Sequence, residues 1–158
     1  MRAEDPEDVP GPGLDFLREL WALDHALQRL SKHMERTIGV SGPQRLALRL
    51  VARFPGLPAG RLARLLHLHP STVSGLVSRL ADRGLIARSS NGPDRRRVLL
   101  RITPAGMELL SRPATTIESA VLSALGNVPP RQIETALKVL ASVSMSLASP
   151  RGERLNPH

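Results

Sequence analysis

The chain has 158 residues, 22 Lys and Arg against 14 Asp and Glu, a formal net charge of +8 and no cysteine. That length suits one domain with extensions for assembly and is enough to bury a core of its own. Without cysteine there is no disulfide framework, no thiolate metal site and no thiol nucleophile or redox switch. The longest apolar runs are only a few residues, against about 20 for a membrane span. Residues 1–13 carry Glu4, Asp5, Glu7 and Asp8 against Arg2, unlike the basic start and apolar stretch of a secretory leader, so a cytoplasmic location is expected.

The charge is unevenly placed. Residues 41–103 hold twelve Arg and no Lys, opposed only by Asp82 and Asp94, an excess of +10, while the rest of the chain sums to −2. A local basic excess points to a polyanion, either nucleic acid or a membrane surface. The plain alternative is a set of solvated arginine faces.

Taken in chain order, residues 1–13, with three Pro and two Gly, read as a disordered arm. From Leu14 to Ile38 the apolar residues Leu20, Leu23, Leu27, Leu30 and Met34 recur every three or four positions, widened by Leu17, Trp21 and Ile38. This spacing predicts a helix of about 25 residues with a stripe usable as a seam against another helix. Gly39 to Gly42 break the pattern, and Pro43 is placed to open a second helix with Leu46, Leu50, Val51 and Phe54 inward. Pro55-Gly56-Leu57-Pro58 ends it. A short helix is expected over Ala59–Leu66 with Leu62, Leu65 and Leu66 inward, then a turn at His67–Pro70. The next helix, Pro70 to Arg83, carries Val73, Leu76, Val77 and Leu80 on one face, with Gly84 as its left-handed stop.

After Gly84 the period changes to two. Leu85–Ser90 and Arg97–Thr103 read as two strands around the turn Asn91-Gly92-Pro93-Asp94. Thr103-Pro104 is a helix start. The helix after it carries Met107, Leu110, Ala114, Ile117, Val121 and Leu125, and Pro113 should kink or interrupt it. A turn at Gly126–Pro129 leads to a last helix, Pro130–Leu147, with Ile133, Leu137, Leu140, Val143 and Leu147 on one face. Residues 149–158 read as a flexible tail.

Short helix, tight turn, helix and two-stranded ribbon fit a winged helix-turn-helix, whose second helix enters the major groove of DNA. Opposite that helix's apolar stripe lie Pro70, Ser71, Thr72, Ser74, Gly75, Ser78 and Arg79. These are small or polar side chains that permit close approach and can bond phosphates or bases. Gly75 costs about 1 kcal/mol mid-helix relative to Ala, which is explained either by close approach to DNA or by tight packing. Asp94, Arg95, Arg96 and Arg97 sit at the ribbon tip. Three consecutive Arg repel one another there unless neutralised, and Arg suits phosphates or a narrow minor groove; a solvated charged turn is the alternative.

The stretch from Ser41 to Gly106 resembles the MarR family of bacterial winged-helix regulators. The matching pieces are SGPQRLAL, LARLLHLHPSTVSGLVSRLADRGLIAR and the wing signature DRRRVLLRITPAG, in which Asp94, Arg96, Thr103 and Gly106 hold the family's spacing. The resemblance implies a mainly α fold with a small two-stranded β wing. A DNA-binding domain over 41–103 would be flanked by dimerisation helices at 14–40 and 104–148. It implies a homodimeric regulator, most simply a repressor, on a pseudo-palindromic double-stranded operator. Residues Pro70 to Arg79 would make the major-groove contacts, Arg96 would enter the minor groove and Asp94 would be its partner. A small-molecule effector of unknown identity is a further implication. Pro113 departs from the family's continuous long helix, the lack of cysteine removes its thiol-oxidation mechanism, and three aromatics, Phe16, Trp21 and Phe54, are few for an aromatic pocket.

No cofactor and no metal site is expected. His25 and His33 stand about 12 Å apart along one helix, and His67-x-His69 lies in a turn. No nucleophile with a base and no glycine-rich phosphate loop is present, so the chain does not read as an enzyme. Arg45 and Arg49 would lie near the family's effector pocket, where they could meet an anion or simply face solvent. Two other functions remain open at this point: a winged-helix protein-interaction module, disfavoured by the twelve central Arg, and a metal-dependent regulator.

Overall fold

The computed structural model describes residues 11–90 and 98–148. It divides into two compact units, Met1–Glu118 and Ser119–His158. The first unit opens with helix α1, Gly11–Ile38. It starts three residues before the expected Leu14, because Pro12 is tolerated in a first turn whose N–H groups have no intrahelical acceptor. The remainder of the expected arm and the expected tail lie outside the described residues.

Helix α2, Gly42–Arg53, begins with a reciprocal cap: Gln44 N–H donates to Ser41 Oγ at 3.4 Å and Ser41 N–H to Gln44 Oε1 at 3.0 Å. Gly42 N–H donates to Ser31 Oγ at 2.9 Å and so ties α2 to α1. The buried face of α2 is Arg45, Ala47, Leu48 and Val51. This corrects the expectation for Leu46, which is exposed. In this unit α2 packs against α1, α3, α5 and β3, and that crowding selects the stripe containing the small Ala47 over the one containing Leu46.

A two-residue strand, β1 (Leu57–Pro58), precedes α3 (Ala59–Leu66). In α3, Leu62 and Ala63 are buried, Leu66 is half-buried, and Leu65 is exposed rather than inward. His67 ends α3 in the left-handed conformation, with φ 52°. An L-residue rarely adopts this, but its N–H reaches the α3 carbonyls of Ala63 and Arg64. Helix α4 then runs Pro70–Asp82, with Val73, Leu76, Val77 and Leu80 all buried. Gly84 comes next at φ 68°, as its sequence position required.

Strands β2 (Ile86–Ser90) and β3 (Val98–Ile102) pair antiparallel, from Ile86 opposite Ile102 to Ser90 opposite Val98. The sheet has three strands rather than two, in the order β1-β3-β2. Leu57 pairs with Leu100, and both are buried in the core beside Met34, Leu48, Leu62 and Leu80. Two residues give too short an alternation to read as a strand, and Pro58 argues against one; β1 is nevertheless an edge strand, where Pro is allowed.

Helix α5, Pro104–Ser111, is capped by Thr103, whose Oγ1 accepts from Gly106 N–H at 3.1 Å and donates to the Gly84 carbonyl at 2.6 Å. Gly106 has a packing reason to be glycine: a Cβ there would lie 2.2 Å from the Leu85 carbonyl oxygen. The helix ends before Pro113, and α6 begins afresh at Ile117 and runs to Leu125. Pro113 therefore interrupts the segment completely. Helix α7, Pro130–Ala148, completes the second unit, and no residue of α6 or α7 is buried.

Candidate nucleic-acid interface

Helices α3 and α4 are separated by only His67, Leu68 and His69. The turn is tight because His67 reverses the backbone and His69 at once caps α4, its Nδ1 accepting from Ser71 N–H at 3.3 Å. The four apolar positions of α4 are spent on the core. This leaves Pro70, Ser71, Thr72, Ser74, Gly75 and Arg79 at its outer side, all exposed, with half-buried Ser78 at the edge. Every expected residue of this helix thus lies on one outer face. Gly75 can now be assigned: a Cβ there would meet nothing within 4 Å except the Arg79 Nη2 atom at 3.9 Å. Tight packing is no reason for this glycine. It leaves the outer face low.

Asp94, Arg95, Arg96 and Arg97 lie outside the described residues. Strand β2, which leads to them, adds a residue that sequence patterning did not single out. Exposed Arg88 reaches back to α4, and its Nη1 donates to Ser78 Oγ at 3.3 Å. Its only sequence signal was a basic residue in the strand beside the helix, a signal shared with Arg101.

The central arginines are not one uniform surface. Arg45 is 2% exposed. Its Nη1 and Nη2 donate to the Leu109 and Leu110 carbonyls at 3.1 and 3.0 Å, and its Nε donates to Glu118. It therefore fills the end of α5 and holds the start of α6, bridging the Pro113 interruption. Arg49 Nε also reaches Glu118, at 3.3 Å, from a half-exposed position. Burial pushes the Glu118 carboxyl up, but its backbone hydrogen bond, Arg45 and Arg49 outweigh that and hold it below the ordinary glutamate value. Arg53 and Arg61 stand over the Phe54 ring at 5.5 and 5.2 Å, and Arg83 Nη1 donates to the Gly39 carbonyl at the end of α1. Several charges counted in the +10 thus hold the unit together.

Among the described residues no group of three or more His, Cys, Asp and Glu is placed to hold a metal ion. No helix among them is long and apolar enough to cross a membrane.

A short helix, a three-residue turn, a helix with an outward polar face and a subsequent antiparallel hairpin define the winged helix-turn-helix class. A sequence profile of the MarR family matches residues 38–97. A transcriptional regulator of Pseudomonas aeruginosa of known structure is 30% identical; the match covers 78% of this chain and 94% of that one, with a TM-score of 0.58. The PcaV transcriptional regulator of Streptomyces coelicolor, solved in complex with its natural ligand, is 25% identical over 93% of this chain and 99% of its own, with a TM-score of 0.63. The regulatory protein ascribed to the hcr operon of Thauera aromatica is 33% identical over 97 residues, 61% of this chain, and the match spans 56% of that relative's length. The chain belongs to the MarR family, whose members are DNA-binding regulators and not enzymes.

Proposed function

We propose that this protein is a sequence-specific transcriptional repressor that binds a pseudo-palindromic operator as a homodimer and is released by a small-molecule effector. The observation that carries the reading is the division of α4: its apolar stripe is consumed by the core, and Pro70 to Arg79 present a low polar outer face. In this reading α4 enters the major groove. Arg96, supported by Asp94 and flanked by Arg95 and Arg97, serves the minor groove.

The homodimer is supported by the apolar side chains left uncovered on α1, α6 and α7, among them Leu14, Trp21, Leu122, Leu137 and Leu147. A single chain rarely leaves so much apolar surface in water without a partner. Two copies of α4 would then meet one face of the duplex about one helical turn, ~34–36 Å, apart. Bound there, the dimer occludes a promoter. Release by ligand, as the complex of PcaV with its natural ligand suggests, requires the ligand to prefer the DNA-incompetent arrangement, since equal affinity for both shifts nothing.

The test is a mobility shift with the DNA upstream of the protein's own coding sequence. Saturable binding that resists unrelated competitor DNA supports the reading; salt-sensitive binding without sequence preference overturns it. Arg96→Ala is expected to weaken operator binding about tenfold or more, as loss of a charge-assisted contact of ~1.5–3 kcal/mol would. An unchanged affinity removes the wing from the site.

A further inference from the structure

Three hydrogen bonds set a property of the α4 outer face that neither its residue types nor its family determines. The Ser71 backbone N–H lies 3.3 Å from His69 Nδ1, and an N–H can only donate. Nδ1 therefore offers a lone pair, which puts the ring proton on Nε2. Ser71 Oγ is 2.7 Å from the same Nδ1. Against a lone pair the hydroxyl must be the donor, so Ser71 Oγ has only its own lone pairs left to offer. Further along α4 the polarity is opposite. Arg88 Nη1 donates to Ser78 Oγ at 3.3 Å, and a guanidinium never accepts. Ser78 spends one of its two lone pairs there, and the adjacent cation favours an O–H that points away from it, which biases Ser78 towards donating.

We propose that His69 and Arg88, neither of which lies within α4, set the polarity of its hydroxyls: His69 fixes Ser71 as an acceptor, and Arg88 biases Ser78 towards donating. They are thereby positioning residues that determine operator specificity. The proposal rests on the operator-binding reading above. In the major groove an acceptor selects the amino groups of adenine or cytosine, whereas a donor selects guanine O6 and N7, adenine N7 or thymine O4. The two serines are the same residue type, yet they would favour complementary edges because of what each touches.

The experiment is selection of bound duplexes from a random pool by the full chain and its variants, with circular dichroism on each. Ser71→Ala is expected to lose discrimination at one operator position, and His69→Ala to lose about three- to tenfold at that same position, the worth of one net hydrogen bond. Adding Ser71→Ala to His69→Ala should change nothing further there. His69→Asn, whose amide oxygen can take both Ser71 donors, should cap α4 and keep the preference. Arg88→Ala should act on the position that Ser78→Ala relaxes. If His69→Ala and Arg88→Ala weaken all sequences equally and leave base preference intact, they are a cap or phosphate contacts only, and the proposal is overturned. If wild-type protein enriches no sequence at all, the operator reading falls and this inference with it; wild-type enrichment with unmoved variants overturns this inference alone.

Discussion

Helices α4 and α7 carry the same kind of sequence and end differently. Each has an apolar residue every three or four positions, yet Val73, Leu76, Val77 and Leu80 of α4 are all buried, whereas on α7 Leu137 is 61% exposed and Leu147 71%. The stripe on α4 is met by the core of its own unit, with Leu48, Leu62 and Leu100 in the same cluster. No residue of α7 is buried by its own chain. A hydrophobic period therefore states that a face must be covered, not what covers it. In α4 the coverage is internal and the opposite face becomes the functional one. In α7 the apolar face itself is the unfinished part, and a second copy of the chain is its proposed occupant.

The largest expected effect breaks that contrast on the α7 side. Leu137→Asp should leave the first unit folded but convert a dimer to a monomer, read by light scattering. Operator affinity should fall about a hundredfold or more, because two linked half-site contacts become one. A variant that stays dimeric would remove α7 from the interface.

The joint at Pro113, just past the winged helix-turn-helix, comes next. Arg45→Met strands the Leu109 and Leu110 carbonyls and removes one of the two cationic partners of Glu118. It should cost about 3 kcal/mol, visible in urea unfolding. Arg49→Ala, which removes only a half-exposed partner, should cost less than about 1 kcal/mol. Equal effects would show that Arg45 is not the bridge. The same joint predicts a pH dependence. The Glu118 carboxyl is lowered in the folded protein, so its contribution is present above the ordinary value of 4.5 and is lost as pH falls through the folded value. Acid unfolding profiles of wild type and Glu118→Gln should differ at neutral pH and converge in acid; parallel profiles would contradict the pairing.

The smallest effect belongs to the outer face of α4. Gly75→Ala should stabilise the fold by about 0.5–1 kcal/mol, since the site is open and helical. It should also weaken operator binding several-fold by raising a surface meant to lie low. Improved stability with unchanged DNA affinity would return Gly75 to an accident of the helix.

Much of this organisation was legible in the residues. The limits of α3 and α4, the Gly84 stop, the Thr103 cap and the break at Pro113 all arise from backbone chemistry that acts within a few positions. The outer face of α4 was legible for the same reason, because a strong four-residue stripe leaves only one other side. The errors came where local rules left a choice. On α2 two leucine-bearing stripes compete, and the one with Ala47 went inward because four elements crowd that helix. β1 was missed because its pairing with β3 is supplied by residues more than forty positions away. Arg45 read as a candidate ligand for an anion, and its carbonyl partners lie on a helix that sequence spacing does not bring near.

The sequence alone determined the helical periods, the turns, the concentration of basic charge in residues 41–103 and the absence of thiol chemistry. These are properties of single residues or of neighbours along the chain. Only the tertiary structure decided which arginines are structural, that a Cβ would clash at Gly106 but find open space at Gly75, and that His69 and Arg88 touch Ser71 and Ser78. Those outcomes depend on distances between atoms of different elements, and no local propensity encodes a distance.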